Sequence, residues 1–261
     1  MTAEKWLQGN VPVEERLCLS QELDMFRQNP LVPLIRKLDR AERTPLIHDE
    51  LDRCSEAYYF YYLCLERYLS EMWVAIQWEK GPRWVRGRGQ KYGSRQRRIA
   101  DNYHQQKRFL LLDFFNCLLH ARILCDRTIS LSRYFLDEKV VPSFGSFHDH
   151  KKFFQQFRKP YGRHEEYAAY FRERTEWFDM PLKPVRDKYL VHSGPKHMRI
   201  LGYARESEND LQLTIVIPDG PDVRRPLERV KVVEVSLRRL AREIREFLEW
   251  FSSYGLRVLD K

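Results

Sequence analysis

The chain has 261 residues and a mass of 31.7 kDa, with 43% apolar and 13% aromatic residues, which is enough for a packed core and excludes general disorder. Its net charge is +9, yet Lys80 to Arg108 alone carries ten Lys/Arg against the single acid Asp101, so the other 232 residues sum to about zero. No apolar run reaches the roughly 18 residues a membrane helix needs, and Met1 to Asn10 has no apolar signal region, so a cytoplasmic chain without a membrane span is expected.

Two short helical patterns, about 14–28 and 31–40, open the chain and are broken at Asn29-Pro30 and Thr44-Pro45. A strong helix is predicted from about Asp49 to Lys80. Its stripe of Tyr58, Tyr59, Tyr61, Tyr62, Tyr68 and Trp73 among Leu63, Leu65, Leu69 and Ile76 is too broad for one narrow face. A helix apolar around so much of its circumference belongs at the centre of a bundle. The Gly- and Pro-containing stretch 81–94 reads as loop, and a second long helix follows from about Arg95 to Leu136.

Shorter helices are predicted at about 147–158 and 164–178, and another from near Pro184 to a stop at Gly194-Pro195. The period then changes to about two. Arg199 to Ala204 and Leu211 to Ile217 read as strands joined by the polar turn Glu206 to Asp210, and a last helix spans about Val235 to Tyr254. The expected fold class is mainly α: an up-and-down helical bundle with two long central helices and a small β-hairpin before the C-terminal helix. Residues 1–48 would form a helical extension and 49–195 the helical core with its basic loop. Residues 196–261 would be the hairpin and the C-terminal helix packing on that core.

Cys18, Cys54, Cys64, Cys117 and Cys125 are odd in number, form no CxxC pair and lie in helical apolar patterns, so buried reduced thiols are expected. His148-Asp149-His150 has no further ligands at a recognisable spacing and reads as a surface turn, while His164-Glu165-Glu166 reads as a helix start favoured by the dipole. Ser143-Phe144-Gly145-Ser146 is a loop without the GxSxG pattern, and neither GxxxxGK[ST] nor GxGxxG occurs. No metal and no cofactor are expected.

The basic segment interleaves cations with aromatics: Lys80, Arg83, Trp84, Arg86, Arg88, Lys91, Tyr92, Arg95, Arg97 and Arg98. Arginines and aromatic rings on a Gly-containing loop suit single-stranded nucleic acid, through phosphate attraction and base stacking. A solvated loop serving solubility or an acidic protein partner is the alternative.

The segment Pro184 to Pro195 sets Arg186 and His192 six residues apart, with Asp187 directly after the arginine. An arginine, four to six residues and a histidine occur five times in this chain of 32 arginines, so the spacing alone says little. Only around Arg186 do a short polar side chain, an apolar run and a helix stop accompany it uninterrupted. The alternative is a pair of exposed helix charges with a histidine at the C-terminal dipole.

In that context, residues 184–195 resemble the ribonuclease branch of the HEPN superfamily (higher eukaryotes and prokaryotes nucleotide-binding), whose helical bundles carry an Arg–polar–x(3–5)–His motif near the end of one helix. Asp187 stands where that branch most often has asparagine. The resemblance implies a metal-independent endoribonuclease acting on RNA, of the kind used in bacterial defence or toxin systems. Arg186, Asp187 and His192 would be its catalytic residues, and its site would be composed across a homodimer, with a regulatory protein partner as a further expectation. Helix geometry makes a single-helix site awkward, since six residues give about 9 Å of rise and a rotation of roughly 240°. Either the helix unwinds at Ser193-Gly194 or the pairs of two subunits converge, and the resemblance implies the second. A non-catalytic HEPN-like module binding nucleic acid or protein through the 80–98 loop is the second expectation, and a helical assembly protein without a nucleic-acid role the third.

Overall fold

The computed structural model of the chain describes residues 21–41, 45–79, 93–157, 160–183, 199–207, 210–218 and 230–261. A helical segment at 21–27 leads into α1, Val32–Ala41, and then α2, Pro45–Glu79. Pro45, expected as a break, opens α2 instead, because a first-turn position needs no amide hydrogen and suits proline's fixed φ. Next comes α3, Ser94–Ser130, which gives way to a 3₁₀ turn, Leu131–Tyr134, short of the predicted end.

The remaining elements are α4, Phe147–Gln156, a 3₁₀ turn at Gly162–His164, α5, Glu165–Glu173, three strands and α6, Leu237–Leu259. Between α5 and the strands, Phe178–Leu182 forms a π-like turn that breaks at Met180, whose backbone is extended (φ −147°, ψ 122°). Pro181 is the cause, since its ring disfavours helical backbone in the residue before it.

The molecule is a mainly α bundle around the pair α2 and α3. They run antiparallel: Phe60 meets His120 with ring centroids 5.8 Å apart, and two turns further along α2 the Tyr68 ring lies 6.1 Å from that of Phe114. Each buries residues at three- and four-residue steps, Leu51, Cys54, Tyr58, Tyr61, Leu65, Tyr68 and Met72 on α2 and Leu110, Phe114, Cys117, Ala121, Leu124 on α3. The broad apolar stripe of α2 is not buried all round. Tyr59 and Phe60 are exposed, as are Phe109 and Leu112 on α3, because the helix pair turns one face outward.

One core joins the ends of the chain. Phe26, Leu31, Leu34 and Leu38 pack in the same cluster as Ile244, Phe247, Phe251 and Tyr254. Arg238 Nε donates to Glu22 Oε1 at 2.7 Å, tying 21–27 to α6, and Tyr58 Oη donates to Phe26 O at 2.6 Å. Trp250 of α6 stacks on Tyr170 of α5 with centroids 3.6 Å apart. Such aromatic contacts contribute beyond the area they bury.

The sheet is antiparallel in the order β1-β2-β3, formed by Arg199–Ser207, Asp210–Pro218 and Val230–Ser236. The expected two-stranded hairpin therefore gains a third strand. Val230-Lys231-Val232-Val233-Glu234-Val235 has the β-branched content of a strand, and it displaces the predicted start of the last helix to Leu237. Ser236 ends the strand and caps the helix, its Oγ accepting from the Arg239 amide at 3.0 Å. Among the described residues no helix is long and apolar enough to cross a membrane.

Candidate functional site

Arg186, Asp187 and His192 lie outside the described residues, which stop at Lys183 and resume at Arg199. Lys80, Arg83, Trp84, Arg86, Arg88, Lys91 and Tyr92 lie outside them too. Arg95 belongs to the first turn of α3, with its side chain outside the description, while Arg97 and Arg98 are exposed there. That helix start is held by backbone geometry: Arg97 N donates to Gly93 O at 2.9 Å, and the Gly93 amide donates to Gln96 Oε1 at 3.2 Å.

The structure does show how the chain is delivered to the Arg186 segment. Lys151 of α4 is 2% exposed, and its Nζ donates to Thr175 O and Asp179 Oδ2, each at 2.6 Å. Thus the ammonium clamps the turn at Phe178–Leu182 from below. Arg122 of α3, 4% exposed, lies over the Phe178 ring at 4.3 Å, and its Nε donates to Asp126 Oδ2 at 3.1 Å. Its Nη1 is buried without an acceptor.

Asp126 Oδ1 in turn accepts from the Phe147 amide at 2.7 Å, satisfying an orphan donor at the N-terminus of α4. At the next residue, His148 Nε2 lies 3.3 Å from Lys183 Nζ. Lys183, the last described residue before Arg186, therefore lies beside His148. Of Arg122, Asp126, His148 and Lys151, only His148 figures in the sequence reading, as part of an expected surface turn. Charged residues set inside the apolar runs of α3 and α4 were the available signal, since such groups are buried only when paired.

The expected surface turn at His148-Asp149-His150 is corrected to the first turn of α4. Ser146 caps that helix, its Oγ accepting from the Asp149 amide at 3.1 Å and donating to Asp149 Oδ2 at 2.8 Å. The cap rotates His150 inward, where it is fully buried among Phe144, Phe154 and Phe171. Burial drops its pKa to about 3, so the ring is neutral. Its Nε2 lies 2.9 Å from Tyr167 Oη and Nδ1 has no partner.

His164 is also buried and lowered, first by burial and then by the adjacent Arg163. Its Nε2 receives the Arg163 Nε hydrogen at 3.2 Å, which leaves Nδ1–H to donate to Tyr254 Oη at 2.9 Å. Both histidines are core groups. Among the described residues no group of three His, Cys, Asp or Glu could hold a metal ion. Burial also keeps Cys54 protonated, its pKa pushed up to about 12, and raises Cys64, Cys117 and Cys125, so these thiols are not nucleophiles.

A second buried polar group sits between α2 and α3. Asp113 is 1% exposed; one oxygen meets Arg67 Nη2 at 3.1 Å, while Oδ2 has no partner, and the same holds for Glu71 Oε2. Burial raises both carboxyls, and the Asp113 charge further raises Glu71. No family model, no curated protein and no solved structure matches this chain.

Proposed function

We propose that this chain is a metal-independent endoribonuclease of HEPN type, working in a bacterial defence or toxin system. The observation that carries the reading is the uninterrupted run Arg186-Asp187-Lys188-Tyr189-Leu190-Val191-His192-Ser193-Gly194-Pro195. The mainly α bundle is of the architecture that the resemblance implies, and this supports the reading.

The chemistry follows from the residue types. His192, with an ordinary pKa near 6.5, takes the proton from a ribose 2′-hydroxyl as that oxygen attacks the adjacent phosphorus. The P–O5′ bond breaks, the leaving oxygen receives a proton, and a 2′,3′-cyclic phosphate remains. Arg186 offers permanently charged planar donors to the phosphoryl oxygens as negative charge builds. Asp187 orients one of them, and a second copy of the chain supplies the partner pair. DNA, lacking the 2′-hydroxyl, is not cut.

Purified protein incubated with RNA in EDTA tests this. Cleavage that survives chelation and is lost in both Arg186→Ala and His192→Ala upholds the reading; cleavage unchanged in both variants sinks it. A second reading, a non-catalytic module that binds nucleic acid, is favoured by the exposed Arg97 and Arg98 at the start of α3. It expects RNA binding without cleavage, weakened when Arg95, Arg97 and Arg98 are neutralised, with each lost phosphate contact lowering the salt dependence by about one ion.

A further inference from the structure

A cleft of about 460 Å³ opens between the N-terminal end of α2, the C-terminal end of α3 and the loop before α4. Four of the charged residues in its wall are already paired. Glu50 is paired with the Arg133 guanidinium and accepts from Tyr134 Oη at 2.7 Å. Asp126 spends its oxygens on the Phe147 amide and on Arg122 behind the wall, and Arg53 lies 2.6 Å from Asp49.

Arg127 is different. It is exposed, lines the cleft and pairs with no acid among the described residues. The loop Ser143-Phe144-Gly145 lines the same cleft. The Ser143 hydroxyl and the three amides of this loop are claimed by no acceptor among the described residues. Ile123 and Phe144 supply an apolar side to the same space. A cleft of this size with one convergent polar end and an apolar wall has the general form of a small-molecule site.

We propose that this cleft binds a phosphate monoester carrying a planar apolar group, with the phosphate on Arg127 and the 143–145 loop and the apolar group against Ile123 and Phe144. Arginine suits phosphate because its planar fork donates to two oxygens at once, and the remaining oxygens need further donors, which the hydroxyl and the loop amides provide. A single carboxylate has too few oxygens to use them all. None of the residues that line the cleft is one of the proposed catalytic residues, so the binding test is read independently of RNA cleavage.

Titration calorimetry with phenyl phosphate tests the proposal in the full chain. Arg127→Gln removes the cation from an exposed position. Gly145→Leu fills the cleft from a residue whose added Cβ would meet nothing within 4 Å, so folding is retained. Expected are saturable binding to the wild type, at least tenfold weaker binding in Arg127→Gln and its loss in Gly145→Leu, with Arg36→Gln, at an exposed arginine of α1, unaffected. Absence of saturable binding at millimolar ligand, or equal weakening by Arg36→Gln, overturns the site. Displacement by a 5′-phosphorylated RNA dinucleotide but not by inorganic phosphate assigns the monoester to a strand end, and the reverse assigns it to a small metabolite; both outcomes uphold the cleft.

Discussion

Lys151 Nζ lies 2.6 Å from Asp179 Oδ2, and the two ends of this pair are unequal: the lysine is 2% exposed and the aspartate 50%. The ammonium is thus committed to the interior, while the carboxylate keeps contact with water. Removing one partner of a buried pair costs more when the charge left behind is the buried one. Asp179→Ala is expected to destabilise by about 2–3 kcal/mol, since it leaves the ammonium only the Thr175 carbonyl. Lys151→Met, which removes the buried charge and keeps the volume, should cost only about 1 kcal/mol. Urea unfolding of the two variants checks the order; the reverse order would mean that the clamp is not electrostatic.

His150 makes stability depend on pH. Its folded pKa of about 3 lies below the ordinary 6.5, so the unfolded chain binds the extra proton between those values. Stability contributed by the neutral ring is complete above about pH 6.5 and is lost as pH falls towards 3, by at most about 1.4 kcal/mol per pH unit. His150→Phe keeps an aromatic in the cage and removes the titration. Its stability curve from pH 7 to pH 4 should be flatter than the wild-type curve, retaining a residual slope from His164, which is also lowered. Parallel curves would refute the assignment.

The long helices were legible because their burial is periodic: Leu240, Ile244, Phe247, Leu248 and Phe251 lie three and four apart, and α6 follows them. The polar frame was not. Periodicity separates apolar from polar positions, and it carries no sign that Lys151 or Arg122 will be buried. Burial of such groups is decided by partners distant in sequence, such as Asp179, 28 residues from Lys151. His150 escaped for a related reason, since its inward direction is set by where Ser146 starts the helix. The third strand was hidden by its position directly against α6, where one serine serves as the end of one element and the cap of the next.

That shared serine gives a further expectation. Ser236→Ala removes the oxygen that accepts the Arg239 amide, and cap losses of this kind cost about 1 kcal/mol. Ser236→Asp retains an acceptor and adds a charge favoured by the helix dipole, so it should restore most of the loss. Thermal unfolding of the two variants separates a cap from simple packing, because packing would penalise the aspartate at least as much as the alanine.

Gly255 marks a close approach of α6 to α1. A Cβ built there would lie 2.9 Å from Leu34 Cδ1 and 3.1 Å from Phe135 Cε1. In an open helix, Gly→Ala would gain up to about 1 kcal/mol of helix propensity. Here Leu34 is fully buried, and Phe135 is fixed against Phe251 and Tyr254, so neither neighbour can yield freely. Overpacking should outweigh propensity, and Gly255→Ala is expected to destabilise by about 1 kcal/mol net. A stabilised variant would show that Leu34 can shift rotamer at little cost.

Asp113 and Glu71 lead to the opposite kind of result, a substitution that stabilises. Each holds one buried carboxylate oxygen without a partner, and burial raises both carboxyls above their ordinary values. An acid raised in the folded state binds its proton more tightly there than in the unfolded chain. Stability therefore falls as pH rises through the folded pKa, and the full penalty is present at neutral pH. Asp113→Asn removes one charge and relieves Glu71, whose pKa is raised partly by Asp113. The lost bridge to Arg67 costs little, because that guanidinium is 63% exposed and regains water. Asp113→Asn should thus gain roughly 1 kcal/mol at pH 7.5 and progressively less towards pH 4. Paired urea titrations at the two pH values decide it: a loss at pH 7.5 would show that Arg67 and Asp113 stabilise the helix pair more than the buried charges strain it.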